Sequence, residues 1–344
     1  MKVDVTAWHG DGRDLAARIT AFVDESLSGT PGESFDALAL AIHRYQRERC
    51  PVIRSLTDGE PAAVAELPAV PVGLFKDLPV GTVDPDEAAA TFLTSGTTGG
   101  GRGAHRLRST ALYDHGAVSW ARRVLPTWPA RTANLLLDPA RHPESSLSHM
   151  VDLFAADSSW HLATDGLDVD GFVAALGSEP VFVGATAFAL AELLEQHRPR
   201  ALPPGSTVMV TGGFKGRRHA LDEAGLHAAV REVLRPAHLV TEYGMTELSS
   251  QLWGTPGTAY RPPPWLRVLA IDPFTEALRP PGESGQLRLV DLCNLDGSVA
   301  IETMDHGIVH ADGTVTLFGR LEGAPARGCS LTVEEAWEAR RRGR

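Results

Sequence analysis

Leu15, Ile19, Phe22 and Val23 recur at i, i+4, i+7 and i+8, a spacing that predicts a helix over 12–27. Phe35, Leu38, Ile42 and Tyr45 repeat the pattern over 34–49. Prolines then punctuate the chain from Pro51 to Pro85. Strand and loop are expected there, because proline ends helices and pushes its predecessor toward extended geometry. Further on, short apolar runs alternate with helical spacing. Ala133–Leu137, Val181–Gly184, Val208–Val210 and His238–Val240 read as buried strands, with helices over Phe188–Glu195 and Leu221–Leu234 between them. That alternation predicts an α/β arrangement around a largely parallel sheet.

The texture changes after Gly257. Trp265–Ile271, Gly285–Leu292, Val299–Glu302 and Thr314–Phe318 are short apolar runs separated by Pro280-Pro281-Gly282, Asp296-Gly297 and Asp312-Gly313. Turn chemistry of this kind predicts antiparallel hairpins. The expected layout is an α/β body over 1–257, a small β subdomain over 258–319 and a short tail over 320–344, with a helix from Thr332 to Arg342.

Composition narrows the function classes. The 344 residues are 43% hydrophobic and 22% charged, ordinary for a globular chain and enough to build a large core. The net charge of −11 argues against a nucleic-acid binder, which needs a basic surface. Three well-separated cysteines, Cys50, Cys293 and Cys329, form no CxxC pair. They predict a reduced, cytoplasmic protein without a disulfide framework or structural zinc. No apolar run approaches the length of a membrane span, and the N-terminus has no leader-like apolar stretch. Only Lys2, Lys76 and Lys215 are lysines, so a lysine in this chain is not filler.

The strongest chemical signal is the run Phe92-Leu93-Thr94-Ser95-Gly96-Thr97-Thr98-Gly99-Gly100-Gly101-Arg102-Gly103. An apolar strand end runs into hydroxyls and glycines, and consecutive backbone N–H groups with Ser/Thr hydroxyls make an anion cradle. Neither a Gly-Lys-Ser/Thr nor a GxGxxG pattern is present, which sets aside the P-loop and the dinucleotide fingerprint.

The Thr94–Gly99 hexapeptide resembles the phosphate loop of the adenylate-forming superfamily, which includes acyl-CoA synthetases and peptide-synthetase adenylation domains. Further segments follow in that superfamily's order. Val210-Thr211-Gly212-Gly213 resembles its adenine-side glycine pair, and Tyr243-Gly244-Met245-Thr246-Glu247 its Tyr-Gly-x-Thr-Glu motif. Asp305 stands where the ribose-binding aspartate is expected, and Gly319-Arg320 resembles the Gly-Arg before the hinge. The resemblance implies the large N-terminal domain of that fold, with ATP and Mg²⁺ as cofactors. It implies nucleotide contacts from Thr94, Ser95, Gly96, Thr97, Thr98, Gly99, Gly212, Gly213, Tyr243, Gly244, Asp305 and Arg320. Thr246 is then the hydroxyl toward the α-phosphate and Glu247 the magnesium ligand, while His149, Gly244 and Met245 line the acid's pocket. Taken alone, Glu247 reads better as a first-turn helix glutamate and Asp305 as a hairpin-turn residue; the ordered set of motifs reverses that.

Phe75-Lys76, Ile42-His43-Arg44-Tyr45-Gln46, Gly212-Gly213-Phe214-Lys215-Gly216 and Arg327-Gly328-Cys329-Ser330-Leu331 further resemble the acyl-protein synthetases. In that family a C-terminal cysteine receives the acyl group as a thioester. Cys329 stands for it here, a small buried turn residue being the plain alternative. Only 24 residues follow Arg320, so the usual mobile domain and its catalytic lysine are expected to be lacking. Lys215, Arg102 and Arg320 are candidates to replace that charge, against a solvated surface lysine at 215. The implied function is ATP-dependent activation of a carboxylic acid as acyl-adenylate. Transfer follows to a protein acceptor, a reductase or a carrier protein. One alternative is direct transfer to an amine, coenzyme A or a carrier-protein thiol. Another is a non-catalytic nucleotide-binding partner protein.

Overall fold

A computed structural model of the chain describes residues 3–57, 59–94, 101–195, 200–212 and 222–320. Three helices open the fold: α1 (Asp11–Ser28), α2 (Phe35–Arg49) and α3 (Pro51–Ser55). Ser34 caps α2 by accepting a hydrogen bond from the Ala37 N–H, which satisfies one of the donors a helix start leaves open. The proline-rich stretch that follows is less extended than its composition predicts. It holds 3₁₀ turns at Val64–Glu66, Val72–Lys76 and Pro85–Glu87, and one two-residue strand, β1 (Val70–Pro71). Proline fixes φ near the 3₁₀ value as readily as near the extended one, so composition does not separate the two.

A hairpin of β2 (Ala90–Leu93) and β3 (Ala104–Leu107) flanks the hydroxyl-rich run. The body then alternates α4 (Ala111–Val124), β4 (Arg131–Leu137), α5 (Ser146–Asp152), β5 (Asp157–Ala163), β6 (Gly166–Leu167), α6 (Val169–Ala175), β7 (Phe182–Thr186), α7 (Ala187–Glu195), β8 (Thr207–Thr211), α8 (Glu223–Val233), β9 (His238–Tyr243) and β10 (Leu252–Gly254). Its sheet has seven strands in the order β10-β9-β8-β7-β4-β5-β6. The five central strands are parallel and both edge strands antiparallel. Successive residues of β8 serve opposite faces. Val208 and Val210 pack with Leu190, Leu226 and Val230 of α7 and α8, whereas Met209 joins the core under α4 and α5. A sheet covered on both faces needs such continuous apolar strands.

The last strands are β11 (Leu266–Ile271), β12 (Ser284–Asp291), β13 (Ala300–Val309) and β14 (Val315–Arg320). They form an antiparallel sheet, joined at one edge by β1 in parallel. Strand β13 runs well past the expected Val299–Glu302. One edge pairs first with β1 at Ile301 and Glu302, then with β14 from Asp305 onward. Asp305 therefore lies within a strand, directly opposite Arg320, and not in a hairpin turn. Asp296-Gly297 is no solvated turn either. The Asp296 carboxylate is buried, accepting from Trp8 Nε1 and from the Arg108 N–H, both at 2.8 Å.

Candidate functional site

Strands β8 and β9 end side by side at the carboxyl edge of the parallel sheet, the edge outside which such sheets hold ligands in a crevice. The chain leaves β9 as Tyr243-Gly244-Met245-Thr246-Glu247. Three other elements meet this short segment.

The first is the hairpin around the hydroxyl-rich run. Its ladder extends beyond β2, since Thr94 N–H donates to Gly103 O and Gly103 N–H donates to Thr94 Oγ1, both at 2.8 Å. A side chain at Gly103 would meet Phe75 O and Thr94 Cγ2 at 3.1 Å, so the close approach of Phe75-Lys76 to the loop base favours glycine. Arg102 Nε donates to Thr94 O at 2.7 Å, and a terminal nitrogen lies 3.7 Å from Glu144. His105, on β3, is fully buried and donates from Nδ1 to Thr246 O at 2.8 Å. A carbonyl only accepts, so the neutral ring carries its proton on Nδ1. Ser95, Gly96, Thr97, Thr98 and Gly99 lie outside the described residues.

The second element is the end of β8. Thr211 donates its hydroxyl to Glu242, the residue before Tyr243. Gly212 has φ +71°, a left-handed turn that favours glycine. A Cβ at Gly244 would lie 2.5 Å from Glu242 Oε1, so the glycine of the Tyr-Gly pair makes room for that carboxyl. Burial pushes the Glu242 carboxyl up to about 7 against the pull of Thr211. Gly213 and Lys215 lie outside the described residues, as does Cys329.

The third is β13 with β14. The Tyr243 hydroxyl donates to Asp305 Oδ2 at 2.8 Å, and Arg320 Nε lies 3.6 Å from Asp305 Oδ1. Burial, reinforced by the negative Asp305, holds the Tyr243 phenol well above the usual tyrosine range. It therefore stays a donor. Tyr260 packs edge-on at 6.2 Å from its ring.

A buried polar net lies beneath the segment, and of its members only Gln46 falls in a motif that the sequence singles out. Asn294 donates from one amide nitrogen to Glu247 O at 2.9 Å and to Ser298 O at 2.7 Å. Asp291 accepts from the Ser249 N–H, the Ser250 hydroxyl and the Cys293 N–H at 2.9, 2.7 and 3.0 Å. Gln46 holds the same loop from α2. Its amide donates to Asn294 O and Leu295 O at 2.8 and 2.9 Å and accepts from the Val299 N–H at 2.9 Å. Thr246 and Glu247 are thus buried on a frame fixed from three directions. Both offer hard oxygen donors, the kind Mg²⁺ takes beside phosphate oxygens. Cys50 and Cys293 are buried core residues, as expected of them.

His149 lies elsewhere in the site region. It packs at 5.3 Å from the Phe92 ring and 5.6 Å from Tyr113, and its Nε2 donates to Asp114 at 2.7 Å. Met245 instead packs against the core of the small sheet. Trp120 also serves the core, edge-on to Trp265 at 6.1 Å.

Burial moves the His105 ionisation from 6.5 to about 4. The unfolded chain takes up a proton below 6.5 and the folded chain only near 4. The stability this histidine contributes is therefore complete above 6.5 and lost as pH falls toward 4. Between pH 7.5 and pH 5 the loss is about 2 kcal/mol. A His105→Asn variant keeps a donor at the Nδ1 position but does not titrate. Urea midpoints at the two pH values should fall less for it than for the parent; equal falls would remove His105 as the titrating group.

No protein-family model matches the chain. A curated ligase from Vibrio harveyi, described as a long-chain-fatty-acid–luciferin-component ligase, is 22% identical over 303 residues, 81% of this chain and 80% of the ligase. Among solved structures, o-succinylbenzoate coenzyme A synthetase from Bacillus subtilis, in complex with AMP, matches 69% of this chain with a TM-score of 0.50 and 20% identity. An ATP-bound chimera, RpMatB-BxBclM B1, matches 70% with a TM-score of 0.50 and 18% identity. The chain spans about half the length of these two structures. In architecture the chain has the fold of the large N-terminal domain of adenylate-forming enzymes, and in sequence it is similar to a long-chain-fatty-acid–luciferin-component ligase.

Proposed function

We propose that this protein activates a carboxylic acid with ATP, forming an acyl-adenylate and releasing pyrophosphate, and then passes the acyl group to a protein acceptor. The observation that carries the reading is the convergence of three separate elements on residues 242–247: His105 on Thr246, Thr211 on Glu242, and Asp305 with Arg320 on Tyr243. The likeness to a fatty-acid ligase over four fifths of both chains supports it.

In this reading an oxygen of the acid attacks the α-phosphorus as the bond to pyrophosphate breaks. Two anions must be brought together, so positioning and charge stabilisation carry the catalysis. Ser95, Thr97 and Thr98 cradle the phosphates, and Gly212 and Gly213 border the adenine. Tyr243 and Gly244 flank the base, and Asp305 with Arg320 takes the ribose. Thr246 donates its hydroxyl toward the α-phosphate. Glu247 would hold Mg²⁺, which would supply charge neutralisation for the phosphates. His149 and Met245 border the acid, Lys215 supplies positive charge at the reacting phosphate, and the Cys329 thiol attacks the acyl carbon of the adenylate, forming a thioester as the acyl–phosphate bond breaks and AMP leaves.

Acid-dependent ATP–pyrophosphate exchange, over a panel of fatty, aryl and small carboxylic acids, tests the reading. Exchange with at least one acid is expected, whereas ATP binding without exchange would leave a nucleotide-binding protein that does not activate acids. Cys329→Ser should exchange normally and fail to retain radiolabelled acyl group. Normal labelling of that variant would remove the thioester role.

A further inference from the structure

Glu242 is an anomaly at the end of a buried strand. An isolated carboxyl in such a place is costly, and an apolar side chain would fill the space at less expense. Thr211 and Glu242 are direct partners on the last rung of the β8–β9 ladder, and the Thr211 hydroxyl bonds to the carboxyl across it. One residue beyond Thr211 lies the left-handed Gly212, and two beyond Glu242 lies Gly244. The second carboxyl oxygen occupies the space a Gly244 side chain would need. One side chain therefore touches both strand ends that turn into the crevice.

We propose that Glu242 is a positioning residue for the nucleotide. Its hydrogen bond with Thr211 locks the last rung of the ladder, and its bulk sets the height of the Gly244 turn, so that both backbone turns face the same ligand in one register. The proposal rests on the adenylate-forming reading for the identity of that ligand. The lock itself does not, because the pair would position whatever nucleotide occupies the crevice.

The groups facing Glu242 are few. Among the described residues, Thr211 approaches from β8, Trp253 stands opposite on β10, and Gln251 closes the far side of Gly244. Tyr260, whose phenol burial raises to about 12, is the titratable neighbour, and it feels both Glu242 and Glu223 at the start of α8. None of these is a cation. Among the described groups only the Thr211 hydroxyl favours the charged carboxyl and burial outweighs it, so ionisation above neutral pH places a poorly solvated charge on the lock and is expected to loosen it.

The test uses the full chain and reads ATP binding by calorimetry alongside KM for ATP in pyrophosphate exchange. Thr211→Val keeps the shape and deletes the donor. It is expected to weaken ATP binding about tenfold, to raise KM for ATP equally and to change kcat less than about threefold. Thr211→Ser, which restores the donor, should recover parental binding. Glu242→Gln should bind ATP normally at pH 6.5 and lack the rise in KM for ATP expected of the parent between pH 7 and 8.5. Unchanged ATP affinity in Thr211→Val, or a parental alkaline limb in Glu242→Gln, would overturn the proposal. If the parent binds ATP but exchanges with no acid, the assigned reaction falls while the Thr211→Val affinity still decides the role of Glu242. If the parent binds no ATP, both fall. Should Thr211→Val fail to fold, the dependence of Glu242→Gln binding on pH decides between lock and bystander.

Discussion

Replacing Glu247 by glutamine should lower acid-dependent ATP–pyrophosphate exchange by about 10² to 10³, the range seen when one pre-organised charge-stabilising group is removed. The substitution preserves volume and removes the anion. Glu247 is only 2% exposed, and its backbone carbonyl is already held by Asn294, so the segment has little reason to move. The melting temperature should accordingly stay within a few degrees of the parent while exchange is lost. Added Mg²⁺ should recover part of the rate if weakened metal binding is the cause. A variant with near-normal exchange would show that Glu247 belongs to the frame and not to the chemistry.

The opposite balance is expected at Asn294. Asn294→Ala leaves Glu247 O and Ser298 O buried without their donor, and each such loss costs about 1–3 kcal/mol. A small cavity adds to this, so the urea midpoint should drop by the equivalent of about 2–5 kcal/mol. Exchange should fall as well, since Glu247 loses the hydrogen bond that holds its backbone carbonyl. Asn294→Asp is the sharper comparison. It keeps the size, replaces the donor by an acceptor facing two carbonyls, and should be at least as damaging. If either variant keeps the parental midpoint, the polar net is not what fixes the segment.

What is legible in the sequence follows from distance along the chain. Tyr243–Glu247 and the run around Thr94 are contiguous, so residue order alone carries them. The parallel sheet announces itself because β7 and β8 are continuous apolar runs, buried on both faces. Strand β13 reads too short because Glu302, Asp305 and His306 break the apolar pattern, yet Thr303 and Asp305 are buried against polar partners. Helix α4 does not emerge from the apolar runs, although Leu112, Tyr113, Ala117, Trp120 and Ala121 form its buried face. His105, Asn294 and Gln46 bond across 141, 47 and 248 residues of sequence. A single polar residue in an apolar stretch is a visible signal, but nothing local names its partner. Glu242 is hidden for the same reason, its mate lying 31 residues upstream.

The grip of Gln46 on the 294–299 loop gives helix α2 a stake in chemistry it never touches. Sequence drift in this protein should be uneven as a result. Exposed positions of α2 such as Arg44 are free to vary, while Gln46 is tied to the fate of a glutamate about two hundred residues away. A screen for inactive variants would return Gln46 beside the residues of the crevice. Mapped on the sequence alone, it would be mistaken for part of the active site. Because the bonds of Gln46 to this loop all go to backbone atoms, exchanges at 46 should be tolerated only where the new side chain can still pair with that backbone, whatever residue stands at 294.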